Sequence, residues 1–590
     1  MDPTSPPGVA ETRSHAAAVR RGPQHGPAGW RDPWLLAALA AFAGLAALAG
    51  APHLVDFDSA QFALAVSQHD PALHQPQPPG FVLYVWLTQA VARLGPGSDA
   101  YAALRLVAVG LLLGAAWCLY ALAGSVADRT TARWAVLLLL SSPLVLFHGL
   151  TTAVYPAEAF ASALAALLYI RVGGEPRRLA AMAAVAGLLA GLRPTTGLVT
   201  VPLLVLAAWR GRFTRRALAI AAACGAAALL AWFLPELAYA GGSGRWFEMN
   251  RMLQSHIRRT SVVVGGWPHA QGTLHRGLDV LVFGVGVARL AVWLAGLRGR
   301  RVGASTGPQR GPGPARLDAR FALVWTAPLL LFTALYILPK PGYLLALWPP
   351  IALGLALRRR NAAALGVAVG LDVALFFGVP TMHLCCRDPA ELAEAATPGE
   401  STLVQRPWVP AGWMHPLDWP RPLRAAAQVA FGRVDFFFDR TRDFDFGGAL
   451  QALRRHAGLP RSDTLVLGFH VSRAVCWEIP EQLVLHPDAA RAQRFVVYRD
   501  RHGTPVEGTW EIPAHVRHLL VERDAGTLRF APGGGQPLRT EAMPRPLGGR
   551  FVRHDLGAGP LEARLVLPAS LGRRGGELRL VRAAHRASAP

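Results

Sequence analysis

Residues 105–123 read RLVAVGLLLGAAWCLYALA, one arginine followed by eighteen residues without a charge. Coiled at about 1.5 Å per residue, the run is about 28 Å long, close to the thickness of bilayer hydrocarbon. Runs of the same kind recur near residues 34–51, 134–150, 157–171, 179–192, 195–209, 217–236, 278–297, 321–338, 343–357 and 361–380. Backbone polar groups in lipid must bond within their own segment, so these runs are expected to be helices. The expectation over residues 34–384 is an all-α multi-pass membrane domain of about eleven transmembrane helices.

Composition agrees. Of 590 residues, 52% are hydrophobic and 16% charged, against about 25% charged in ordinary soluble proteins. Five cysteines are too few for a disulfide scaffold. A net charge of +23 could suggest nucleic acid, but within the first 380 residues the arginines gather between apolar runs, so membrane lipid is the expected neighbour and nucleic acid is not. All the basic residues except Lys340 are arginine.

Arginine placement also orients the chain. Arg20 and Arg21, Arg129 and Arg133, Arg171, Arg177 and Arg178, Arg210 to Arg216, Arg298 to Arg320, and Arg358 to Arg360 occupy alternate junctions, whereas 148–156 and 339–342 are poor in arginine. Positive charge stays on the cytoplasmic side. The N-terminus is therefore expected in the cytoplasm of a bacterial cell, with the spans in its inner membrane. Residues 1–33 read as a disordered basic tail. An odd count of spans places residues 385–590 on the periplasmic or extracellular side. There the apolar runs shorten, and strand-like segments at 464–469, 482–485, 495–498, 516–522, 527–530 and 563–567 point to a soluble α/β or α+β domain.

The first outer loop, 52–104, carries the chemistry. It contains Asp56-Phe57-Asp58-Ser59, an amphipathic stretch, then His74-Gln75-Pro76-Gln77-Pro78-Pro79-Gly80 leading into Phe81–Leu94. Two carboxylates beside a membrane face call for solvent, a metal or a substrate; Asp58 could equally cap a helix starting near Ser59.

The order of these pieces resembles the polytopic GT-C glycosyltransferases. The closest likeness is to the branch related to protein O-mannosyltransferases, where an Asp-Ser-Gly-Glu type motif precedes a His-Pro-Pro-Gly type one. Tyr155-Pro156-Ala157-Glu158 and Lys340-Pro341-Gly342-Tyr343 resemble later elements of the same superfamily. One carboxylate of the acidic motif is missing here, since Gln61 stands where that branch has its Glu, and the His-Pro-Pro element is stretched. The resemblance implies transfer of a sugar, hexosyl or mannosyl in type, from a polyprenyl-phosphate donor to a hydroxyl on a lipid, glycan or protein acceptor in the cell envelope. It implies Asp58, with Asp56, as the carboxylates of the reaction. His74, Tyr155, Glu158, Arg193, Lys340, Tyr343 and Arg258 are the substrate-binding candidates.

The residue chemistry is consistent with that. A carboxylate can take the acceptor proton, and cations at the membrane edge can meet the developing charge of a leaving phosphate. Lys340, Arg193 and the outer-loop arginines Arg245, Arg251, Arg258 and Arg259 are available for it; contact with lipid headgroups is the alternative for the loop arginines. No metal site is expected, although Asp56, Asp58, Glu158 and His74 offer ligands suited to Mg²⁺ or Mn²⁺. A transporter or lipid flippase is the rival reading. Transporters place ionisable groups at mid-bilayer, whereas most acids here fall in outer loops.

Two ionisable residues do interrupt apolar runs. Arg289 lies about nine residues from the cytoplasmic end of its run and Asp372 about eleven from that of its own, a depth difference of about 3 Å. A lone charge at that depth costs at least about 2.5–3.5 kcal/mol, so the two are expected to pair.

Overall fold

The computed structural model describes residues 32–50, 57–71, 75–95, 99–152, 154–259, 261–298, 317–335, 341–358 and 361–378, and shorter stretches between 453 and 582. The helices are α1 (Pro33–Ala49), α2 (Phe57–Ser67), α3 (Val82–Leu94), α4 (Ala100–Val126), α5 (Arg129–Leu140), α6 (Pro143–Gly149), α7 (Pro156–Val172) and α8 (Pro176–Leu192). They continue with α9 (Gly197–Gly211), α10 (Arg215–Tyr239), α11 (Ser243–Arg259), α12 (Val262–Val285), α13 (Val287–Arg298), α14 (Ala319–Leu335), α15 (Trp348–Leu357) and α16 (Ala362–Gly378). A single 3-10 turn at Pro194–Thr196 precedes α9, and a seven-residue 3-10 helix at Pro341–Leu347 precedes α15.

Local chemistry sets where these helices start. Asp99 accepts the Ala102 N–H at 2.7 Å to cap α4, Asp128 accepts that of Thr131 at 2.5 Å to cap α5, and Asp318 accepts that of Phe321 at 2.8 Å to cap α14. These caps satisfy donors that the first helical turn leaves free. Proline opens α1, α6, α7 and α8, where its missing N–H costs nothing.

Where its residues are described, each expected apolar run lies on helix, but fewer of these helices are individually long and apolar enough to cross a membrane. Among the described residues, α4 and α10 are each long and apolar enough to cross a membrane, and α5 with α6 makes a third if a pair bent by 63° counts as one. The other apolar helices are 10–17 residues long. Two runs expected to be continuous are broken: 134–150 divides at Ser141 and Ser142, and 278–297 divides at Gly286, whose φ of 115° suits glycine alone. The stretch between the apolar runs 217–236 and 278–297 contains α11 and the start of α12, so Arg245 and Arg251 lie on a helix.

Both breaks meet at the expected ion pair. Arg289 Nε lies 2.9 Å from Asp372 Oδ2, with both side chains buried. Arg289 also donates to the carbonyls of Leu138 and Ser141, at 3.0 and 2.9 Å, closing the free end of α5. Asp372 accepts the Ala288 and Arg289 backbone N–H groups at 2.9 and 3.2 Å, closing the start of α13. Each helix end, lacking partners of its own, is thus satisfied by the opposite charge.

The helix ends that share a side in the arginine pattern are tied to one another. Arg129 and Arg133 donate to Asp32, at 2.8 Å from Arg129 Nε, along with Tyr120. The Arg129 guanidinium beside Asp32 holds its carboxyl well below the usual carboxylate range. Arg210 joins Tyr169 at 2.7 Å and Asp318 at 2.6 Å.

Beyond residue 453, β1 (Thr464–Leu467), β2 (Leu483–Leu485), β3 (Gly508–Ile512), β4 (His518–Glu522), β5 (Thr527–Phe530), β6 (Arg539–Ala542), β7 (Phe551–Asp555), β8 (Glu562–Val566) and β9 (Glu577–Arg582) form two sheets. One has the order β2-β1-β4-β7-β6, the other β3-β9-β8-β5. β1 pairs parallel with β2 and β4, while β7 pairs antiparallel with β4 and β6. Leu465, Leu467, Leu519, Val521, Ala563 and Leu565 lie in one buried cluster. The expected strand at 495–498 lies outside the described residues.

Candidate functional site

At the opposite end of the helices from Asp32, one cation gathers side chains from several elements. Arg193 follows α8, is buried, and donates from Nε to Glu158 Oε1 at 2.6 Å and to Thr195 Oγ1 at 3.0 Å. Thr195 Oγ1 donates to the same Glu158 oxygen. Glu158 sits in the first turn of α7, where a carboxylate favours the helix dipole, yet its side chain bonds the cation rather than the turn. Arg193 Cζ lies 4.3 Å from the Tyr155 ring centroid, 4.7 Å from that of Tyr343 and 5.8 Å from that of Phe81, distances at which a guanidinium is attracted to an aromatic face. The Tyr155 and Tyr343 rings meet edge-on at 5.7 Å.

Gly342 makes this fit possible. A Cβ there would lie 2.0 Å from Tyr155 Cγ, so the 3-10 turn before α15 lies flat on the tyrosine only because residue 342 has no side chain. Three segments distant in sequence, bearing Tyr155 with Glu158, Arg193, and Tyr343, are thereby brought together.

Asp58 lies in the first turn of α2 and is partly exposed. Phe62, one turn later on the same side of the helix, packs edge-on against Phe81 at 5.1 Å and Tyr84 at 5.3 Å. Phe81 is itself a neighbour of Arg193, so the helix bearing Asp58 is joined to the Arg193 cluster through two rings. Asp56, His74 and Lys340, and the side chain of Arg258 on α11, lie outside the described residues. Among the described residues no three His, Cys, Asp or Glu side chains converge as metal ligands; of the four metal candidates, Asp58 and Glu158 are described, and Glu158 is already neutralised by Arg193.

A second buried contact, between Glu236 and His69, escapes the sequence reading. Glu236 of α10 lies 3.0 Å from His69 Nε2, both side chains almost fully buried, and packs on Gly80 of the Pro-Pro-Gly turn. Burial pushes the His69 imidazole down to about 4, so the ring is neutral at neutral pH. A carboxylate at the end of the apolar run 217–236 was the available signal, by the same argument that pairs Arg289 with Asp372. His148 packs at 5.2 Å on Tyr155 and Tyr84 at 5.3 Å on Phe62, so each reaches the Arg193 cluster through neighbouring rings. Neither belongs to a recognisable motif.

No protein-family model matches the chain, and no curated protein matches it. Its fold is similar to that of ArnT from Cupriavidus metallidurans bound to undecaprenyl phosphate, with a TM-score of 0.54 and 13% identity over 88% of this chain and 97% of that one. The apo state of the same protein gives 0.50 and 14%, over 89% and 98%. At such identity the likeness is one of fold, and it spans nearly the whole of the solved chain.

Proposed function

We propose that this chain is a polytopic membrane glycosyltransferase that moves a sugar from a polyprenyl-phosphate donor to a hydroxyl acceptor on the periplasmic side of a bacterial inner membrane. The observation that carries the reading is the fold likeness to a protein solved with undecaprenyl phosphate. The Arg193 cluster supports it, because a buried, charge-balanced, aromatic-walled site at a membrane edge suits a polar head on an apolar tail.

In this account Asp58 is the general base. The acceptor oxygen attacks the anomeric carbon, Asp58 takes its proton, and the bond from that carbon to the phosphate oxygen breaks, returning polyprenyl phosphate. Asp56 supports Asp58. Lys340 and Arg258 meet the charge growing on the leaving phosphate; His74 orients the acceptor. Tyr155, Glu158, Arg193 and Tyr343 build the wall of the site. The sugar is a hexose of mannosyl type, and about eleven helices span the bilayer with the N-terminus in the cytoplasm.

The broken helices resemble those that transporters use to hold ions, but Arg289 and Asp372 close the breaks themselves, which favours the enzyme. Purified protein in nanodiscs, given undecaprenyl phosphate bearing a labelled sugar and a membrane-lipid extract, should release undecaprenyl phosphate and label an acceptor. Uptake or flipping of the lipid without release would support the rival.

A further inference from the structure

Three polar side chains around Arg193 have atoms without a hydrogen-bond partner. Tyr84 OH, both ring nitrogens of His148, and Glu158 Oε2 are each buried away from solvent and unpaired among the described residues. Tyr84 and Glu158 are 0% exposed and His148 3%. They come from three different helices, α3, α6 and α7: Glu158 bonds Arg193 directly, and the Tyr84 ring packs at 5.3 Å on Phe62, which packs at 5.1 Å on Phe81, whose ring lies 5.8 Å from the guanidinium. The His148 ring also lies 5.2 Å from Tyr155, whose ring is under the guanidinium. One unpaired buried polar atom is costly; several around one point indicate a site built for a partner.

Their chemistry specifies that partner. A tyrosine hydroxyl donates and accepts, a neutral imidazole donates at one nitrogen and accepts at the other, and a carboxylate oxygen only accepts. Whatever binds must donate to Glu158 and both donate and accept elsewhere. A phosphate fails this test, since it offers acceptors alone and would face the carboxylate with like charge. Neighbouring hydroxyls on a sugar ring meet it, because each hydroxyl can do both. Arg193 is already neutralised by Glu158, so it brings no surplus positive charge to attract an anion.

We infer that Tyr84, His148 and Glu158 form the subsite for the hydroxyls of the transferred sugar, which is uncharged, and that Arg193 positions Glu158 there rather than binding the lipid phosphate. The inference rests on the glycosyltransferase reading above and refines it. The phosphate then falls to cations outside this cluster, of which Lys340, next to the turn bearing Tyr343, is one.

The test compares binding of two kinds of lipid to the full-length protein in nanodiscs. One is bare undecaprenyl phosphate; the other is the same lipid carrying glucose, mannose, galactose, N-acetylglucosamine or arabinose. Wild type should bind at least one loaded lipid tenfold or more tightly than the bare one. Tyr84→Phe and His148→Leu should each remove about tenfold of that preference while bare-lipid affinity stays within about twofold. Equal losses for bare and loaded lipid would overturn the assignment and make these groups part of the phosphate site. No loss in either variant, or no loaded lipid preferred by wild type, would overturn it too. If His148→Leu does not fold, Tyr84→Phe, which deletes a single oxygen, decides the matter. Wild type binding neither kind of lipid would instead remove the glycosyltransferase reading itself.

Discussion

Arg289 and Asp372 are 83 residues apart in sequence and 2.9 Å apart in space. Through backbone bonds the pair also closes the end of α5 and the start of α13. Removing one partner leaves the other charge buried alone, so Arg289→Ala and Asp372→Ala should each destabilise the protein by about 3–5 kcal/mol. Arg289→Ala combined with Asp372→Ala should cost clearly less than the sum of the two single variants, read from melting in detergent. Additive losses would show that the residues do not interact.

Asp32 ties the start of α1 to Arg129 and Arg133, which are partly exposed. Its carboxyl is held below the ordinary range, so it binds fewer protons folded than unfolded. The resulting stability is present in full above the ordinary carboxylate pKa and lost as pH falls below it. Asp32→Asn, which keeps a cap for Trp34, should therefore cost about 1–2 kcal/mol, discounted for solvent at the arginines. The loss should be constant from pH 5 to 8 and shrink below about pH 4. A loss that grows on acidification would contradict the sign.

Gly342 lies against the stem of the Tyr155 ring, which cannot swing aside as the tip of a flexible chain would. Gly342→Ala should destabilise by about 1–3 kcal/mol. Tyr155→Ala in the same chain should restore much of the melting temperature, and no restoration would mean that the close approach does not limit packing there.

Topology has a direct readout. Alkaline phosphatase fused near residue 590 should be active and green fluorescent protein at the same place dark, because the domain after residue 384 is proposed to be periplasmic. The reverse pattern requires an even number of crossings and inverts the proposed sides.

Much of the membrane domain is legible in sequence because hydrocarbon imposes a length and forbids unpaired charge. The depth arithmetic for Arg289 and Asp372 works for that reason. Breaks at Ser141, Ser142 and Gly286 were not read from hydropathy, since small uncharged residues put no charge into their runs and the broken ends are closed by Arg289 and Asp372. Tyr155, Glu158, Arg193 and Tyr343 could be singled out from local motifs and membrane-edge position. Tyr84 and His148 could not, because their place beside Arg193 depends on how three helices pack. In the C-terminal region the strand-like segments coincide with β1, β2, β4, β5 and β8. They pass over β9, Glu577-Leu578-Arg579-Leu580-Val581-Arg582, where polar and apolar residues largely alternate, and β7, whose Arg553-His554-Asp555 reads as loop.

The central claim is that Asp58 takes a proton during sugar transfer, and turnover of Asp58→Asn measures it most directly. The amide keeps the size of the carboxylate but cannot act as the base. With a donor lipid that wild type turns over, the variant should insert, melt and bind donor as wild type does, while its turnover falls by a factor of about 10²–10⁴. Turnover at the wild-type rate in Asp58→Asn would contradict the account.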